Sequence, residues 1–321
     1  MKFLYINKIR FLLIYSLVQV FTIILTIGSG IFPDSQGYEE AIIQLHDSEL
    51  TINERTKFLL GSRSFALFFP YLLTFIFSPE SSFIIQSSLC IIISSLFIFK
   101  LSNSILNDES VSFYSSIIFI SSFPILYWGN AVLTEMVSYL FFILTTYLVI
   151  TLFKKFPDNY SVIFVAIICG IGFLIKQNIM FSFIYFYPLL FFNKNERFKL
   201  NYNEIFYKSI LFLTFYLLTI FITEVFLYLL FKELLIFNFI NDYIFSSHQS
   251  KEYFHKSSIY FVQTLFIAFG LLIPLLFIGL FSFLRKKYNI IIFSFFIVST
   301  FIPIVTHIYY SPRFTFYLFP F

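Results

Sequence analysis

The chain predicts an all-α, polytopic transmembrane bundle. Three observations carry that prediction. Of its 321 residues, 59% are hydrophobic and only 12% are charged, more apolar surface than a soluble domain of this length could bury. The apolar residues fall in long uncharged runs. Phe11–Pro33, Ser110–Leu133, Ser257–Leu284 and Tyr288–Pro312 each reach or exceed the roughly 20 residues that a helix needs to cross a bilayer. Backbone groups in lipid must be satisfied internally, and the runs lack the alternation of barrel strands, so helices are the remaining solution.

Taken in order, the first span is expected at about 11–31. It follows Lys2, Lys8 and Arg10, which puts the N-terminus in the cytoplasm. Its apolar stretch exceeds that of a cleaved signal sequence. A polar external loop follows at 32–63, then a short apolar segment at 64–78, interrupted by Pro70. Further spans are expected at about 83–106, 111–129, 132–153, 160–175, 178–193, 209–231, 259–284 and 288–307. Segment 64–78 decides the parity. Laid along the outer surface as a juxtamembrane helix, it leaves 13 of the 21 Lys and Arg residues inside, Arg285-Lys286-Lys287 among them. If it crossed, that number would fall to eight, so the non-crossing arrangement is favoured.

The expectation is therefore about nine spans in a single transmembrane domain over 1–321, in the cytoplasmic (plasma) membrane. Its external elements are the 32–63 loop, the 64–78 juxtamembrane segment and a loop at 232–258. The apolar run Phe314–Phe321 reads as the start of a tenth span, so a truncated C-terminus is expected. The net charge of +4 comes from loop residues, with no basic run suited to nucleic acid. Cys90 and Cys169 lie in apolar runs and read as small buried hydrophobes. The four His residues have no metal spacing, so no cofactor is expected; the pair His46-Asp47 is the one hint of a divalent ion.

Four places carry groups suited to chemistry. Asp34, in Pro33-Asp34-Ser35-Gln36-Gly37-Tyr38, sits where the first span meets its outer loop. It reads either as a helix cap or turn residue, or as a carboxylate base at the membrane boundary. Glu135 closes Trp128-Gly129-Asn130-Ala131-Val132-Leu133-Thr134-Glu135 near the outer end of a span. A carboxylate there is costly to bury and reads as functional, or as an acid favoured at a helix start. Lys176 follows Gly170-Ile171-Gly172 at an outward turn, as a turn residue or a phosphate-gripping cation. Arg313, within Tyr309-Tyr310-Ser311-Pro312-Arg313-Phe314, reads as an interfacial anchor or a bidentate phosphate contact. All four fall on the outer side of a topology chosen from basic residues alone. One base and two cations suit displacement of a phosphate leaving group. Glu224, inside span 209–231, calls for a partner that the sequence does not name.

The chain resembles the GT-C superfamily of polyprenyl-phosphate-sugar-dependent glycosyltransferases, which includes protein O-mannosyltransferases and the aminoarabinose transferases of lipid A. The resemblance rests on Asp34, Ser35 and Tyr38, which match the Asp-Ser-x-x-Tyr pattern of that superfamily's first external loop. It rests also on the Pro-containing segment Arg63–Leu73, on Glu135, on Lys176 after a Gly-containing span, and on the Arg313 patch. It implies a membrane hexosyl or pentosyl transferase with Asp34 and Glu135 catalytic, and with Ser35, Tyr38, Lys176 and Arg313 binding substrate. The implied partners are a polyprenyl-phosphate sugar donor and a lipid, glycan or protein acceptor on the extracytoplasmic face. Two other readings stand beside it. A transporter or lipid flippase would be expected to show duplicated halves, which the sequence lacks. A polysaccharide polymerase or ligase would be expected to carry a larger external loop than 232–258.

Overall fold

The first of the long apolar runs lies largely within one long helix, Lys2–Ile27. The computed structural model describes residues 2–27, 33–46, 52–122, 125–126, 129, 132–152, 158–176 and 202–246. Its helices are α1 Lys2–Ile27, α2 Pro33–His46, α3 Glu54–Leu73, α4 Pro79–Leu106, α5 Glu109–Ile120, α6 Glu135–Leu152, α7 Asn159–Ile175, α8 Tyr202–Phe231 and α9 Leu235–Ser246. Among the described residues there is no strand.

Side-chain caps set the starts of these helices. Asn53 accepts from the Thr56 amide to open α3, and Asp108 accepts from those of Ser110 and Val111 to open α5. Asp158 accepts from Ser161 to open α7. Ser78 caps α4, with Pro79 at its first position, where the missing N–H costs nothing.

Among the described residues four helices, α1, α4, α6 and α8, are long and apolar enough to cross a membrane. The nine spans expected extend beyond these residues. The expected span 111–129 is broken: α5 ends at Ile120 after 12 residues, about 18 Å of helix. Pro124 accounts for the stop, because it has no N–H to donate to the carbonyl of Ile120 four residues back and its ring would clash there in a continuing helix. Helix α7 has 17 residues. The expected spans 178–193, 259–284 and 288–307, with loop 247–258, lie outside the described residues.

Contacts between chain segments fix the direction of each helix. Lys8 of α1 bonds Ser110 and pairs with Glu109, so α1 and α5 start at one end, called here the Lys8 end. Helix α4 arrives there from the other side, since Tyr38 of α2 touches Phe83 near its start. Helices α7 and α8 run parallel: Lys208 acts on Asp158 at the start of both, and Gly170 abuts Thr219 further along. Helix α3 does something different. Lys57, in its first turn, pairs with Glu233 beyond the end of α8, and its last residue leads into α4 at the same end. It therefore begins and ends at the end opposite Lys8, called here the Tyr38 end, and lies across it together with α2 and α9.

The packing faces are built from small and apolar residues. Buried Ser87, Ser94, Ser95 and Ser102 line α4, and Ser16 of α1 meets Ser95 at 3.0 Å. Small side chains let helices approach where water supplies no driving force. Leu12, Ile91, Phe99, Phe119, Tyr139 and Ile143 fill the interior. Outward faces of α1 and α8 remain apolar and exposed, for example Leu25 at 74% and Phe221 at 64%, as lipid-facing positions should be.

Candidate active site

The segment expected as a polar loop at 32–63 is mostly helical. Helix α2 begins at Pro33, so Asp34 lies inside its first turn rather than capping it. That position favours a carboxylate, because the amide groups there carry the positive end of the helix dipole. Ser35 and Tyr38 on the same helix are buried, at 0% and 1% exposure. Tyr38 stands one turn, about 6 Å, beyond Asp34 on the same face.

Three elements meet at Tyr38. Its hydroxyl lies 3.5 Å from the Thr134 hydroxyl, which immediately precedes α6. The Arg63 guanidinium carbon sits 5.3 Å from its ring centroid, within cation–π range. The Nη1 of Arg63 donates to Thr134 Oγ1 at 3.4 Å. Arg63 reaches this point because the helical ladder of α3 breaks there, with φ −148° and ψ 30°. A second arginine of α3, Arg55, lies against Gly37 of α2.

Glu135 opens α6 next to Thr134, and Lys176 follows α7. Their side chains form an ion pair, Lys176 Nζ donating to Glu135 Oε1 at 3.0 Å, with side-chain exposures of 6% and 4%. Each charge also sits at the helix end that favours it, the acid at an N-terminus and the cation at a C-terminus. A buried carboxylate without such a partner would be strongly unfavourable.

The structure thus brings Tyr38, Thr134, Glu135 and Lys176 together at one end, with Asp34 one turn away along α2. The side chain of Asp34 lies outside the described residues, as do Trp128, Asn130 and Arg313. Arg63 and Thr134 were missed as site residues in the sequence. The one signal for Arg63 was a lone cation directly before an apolar segment. Among the described residues no group of three or more His, Cys, Asp or Glu is arranged to hold a metal. His46 instead stacks on Tyr71 and bonds the Thr74 hydroxyl.

Two other carboxylates resolve. Glu224 accepts the backbone amides of Ile236 at 2.8 Å and Phe237 at 3.2 Å. It caps the first turn of α9 from α8, which answers why an acid sits in that span. Glu39 of α2 has its pKa raised by partial burial and by the nearby negative charge of Glu80.

A helical bundle with long apolar spans, and with an almost fully enclosed ion pair at one end beneath surface-lying helices, is a polytopic membrane protein with an end-on polar site. The family model for dolichyl-phosphate-mannose-protein mannosyltransferases matches residues 64–222. Residues 64–222, just under half of the chain, thus match a GT-C type family of mannosyltransferase-like membrane glycosyltransferases. The matched residues include Glu135 and Lys176; Asp34, Ser35 and Tyr38 precede them. No curated protein and no solved structure matches the chain.

Proposed function

We propose that the protein transfers a sugar from a polyprenyl-phosphate-linked donor to an acceptor on the extracytoplasmic face of the plasma membrane. Asp34 is the general base. It takes the proton of the acceptor hydroxyl as that oxygen attacks the anomeric carbon. The bond to the phosphate breaks on the opposite side, so the anomeric centre inverts. The polyprenyl phosphate leaves with the bonding electrons. Base catalysis of this kind is worth about 10²–10⁴-fold in rate.

The observation that carries this reading is the convergence at the Tyr38 end. The turn of α2 that carries Tyr38, the start of α6 and the end of α7 meet there, beside spans whose outer faces suit a prenyl chain. Lys176 and Arg313 are assigned to the growing charge on the leaving phosphate. Glu135 shapes the site and holds Lys176, at 3.0 Å, in place for that task. Ser35 and Tyr38 order the α2 turn against the sugar. The excess of Lys and Arg on the other side of the predicted topology supports an outward-facing site.

The test uses the full chain in membranes with a labelled polyprenyl-phosphate hexose or pentose and a panel of lipid, glycan and peptide acceptors. Wild-type membranes should form a glycosylated product, and Asp34→Asn membranes should not. Full transfer by Asp34→Asn would remove the assigned mechanism. Translocation of the labelled lipid with no covalent product would remove the transferase reading itself.

A further inference from the structure

The geometry points to Arg63 as a positioning residue: it locks the turn of α2 that carries Asp34 against the start of α6 that carries Glu135. The kinetic part of this inference rests on the transferase reading above.

Three features place Arg63 in that role. The first is the backbone. Arg63 is the one residue within α3 whose φ and ψ depart from helical values. A regular helix would send its side chain elsewhere; the break turns it toward α2 and α6. On the other side of α3, Gly61 allows the backbone to press on the Leu235 carbonyl of α9. The broken turn is thus braced from behind.

The second feature is how the guanidinium is used. Its face covers the Tyr38 ring at 5.3 Å, and its Nη1 edge donates to Thr134 at 3.4 Å. Tyr38 and Thr134 also face each other at 3.5 Å. One planar group therefore joins α2, α3 and the residue before α6. Lysine has no flat face to lay on the ring, and its ammonium bonds as a compact point charge.

The third feature is what the joined residues neighbour. Tyr38 is one turn from Asp34 on α2. Thr134 is covalently next to Glu135, which is tied to Lys176. The Arg63 contact therefore ties the helix that carries the base to the segment that carries the acid and, through it, to the cation. A base displaced by about 1 Å can lose roughly a hundredfold in rate while binding is little changed.

The experiment compares the full chain in detergent or membranes as wild type, Arg63→Lys, Arg63→Gln and Arg63→Ala. Hydrogen exchange over 33–46 reads the order of α2 directly, with exchange over the Glu135–Lys176 helices as the folding control. All three variants should exchange faster over 33–46 while α6 and α7 keep their protection. In transfer assays kcat should fall about 10- to 100-fold with donor KM within about threefold of wild type. The lysine variant should resemble the others. Unchanged exchange over 33–46 overturns the inference. So does a lysine variant with normal kcat together with a raised donor KM in the alanine variant, because Arg63 would then be a contact to the donor. If the wild type transfers no sugar, the transferase reading fails, and the exchange measurement still decides the clamp.

Discussion

The two ends of the bundle use charge in opposite ways. At the Lys8 end, Lys8 and Glu109 approach at 3.9 Å and both remain partly exposed. Asp108 and Asp158 there cap helices, and the one enclosed cation described there, Lys208, pairs with a Glu204 that stays 39% exposed. At the Tyr38 end, Glu135 and Lys176 are almost fully enclosed, Arg63 is stacked on an aromatic ring, and Glu224 is spent on amides of a neighbouring helix. Exposed pairs are screened by water and contribute little. Enclosed ones are costly unless every partner is in place. Among the described residues, the ion pair with both partners enclosed lies at the Tyr38 end, and that marks this end as the working one.

Several substitutions would break or sharpen this contrast, from the largest expected effect to the smallest. Asp34→Asn should lower transfer by about 10²–10⁴-fold with the fold intact, read as initial rate against circular dichroism. Next comes the enclosed pair. Glu135→Gln leaves Lys176 without its counter-charge and should cost about 3–5 kcal/mol of stability, read by thermal unfolding in detergent. Glu135→Gln combined with Lys176→Met should recover part of that loss, since the uncompensated charge is then gone. Gly61→Ala should destabilise by about 1–3 kcal/mol, because the new methyl meets the Leu235 backbone carbonyl rather than a side chain that can swing aside.

At the other end, Asp158→Ala should lower the thermal unfolding temperature in detergent through loss of a helix cap, by less than Glu135→Gln does. Hydrogen bonds from Ser161 hold the Asp158 pKa below its ordinary value, with Lys208 adding to the effect. A depressed carboxylate pKa contributes stability above its unfolded value and loses it as pH falls through the folded one. The penalty of Asp158→Ala should therefore shrink on acidification. Lys8→Ala should move stability by no more than about 0.5 kcal/mol. A larger loss at Lys8 than at Glu135 would overturn the contrast.

What could be read from the residues alone divides by range. Helices α4 and α8 are visible because a predominantly apolar run of about 20 residues is a local property. The gathering of Tyr38, Glu135 and Lys176 at one end was also within reach, because basic residues order the spans and the order determines which loops meet. The stop of α5 at Ile120 was less visible, though Pro124 was its cue. The helical course of 33–46 was partly legible, since Asp34 already suggested a helix start. The pairing of Glu135 with Lys176 was not, because two candidates on separate spans carry no sign of contact. Arg63 was hidden for a related reason: the backbone break that aims it has no glycine or proline at that residue, and its targets come from two other helices. The partner of Glu224 required α9 to fold back on α8, which no pattern within α8 announces.

That fold-back has one more consequence. Glu224 sits seven residues before the last residue of α8, yet its carboxylate bonds residues 236 and 237. The stretch 225–235 is thus a closed loop whose length is fixed by the reach of a single side chain. One inserted residue between 225 and 231 would rotate everything after it by about 100° and raise it by about 1.5 Å. The bonded amides would swing out of range of the acid. Natural variation in this stretch should accordingly be by replacement and not by change of length, even where its outward residues face only lipid.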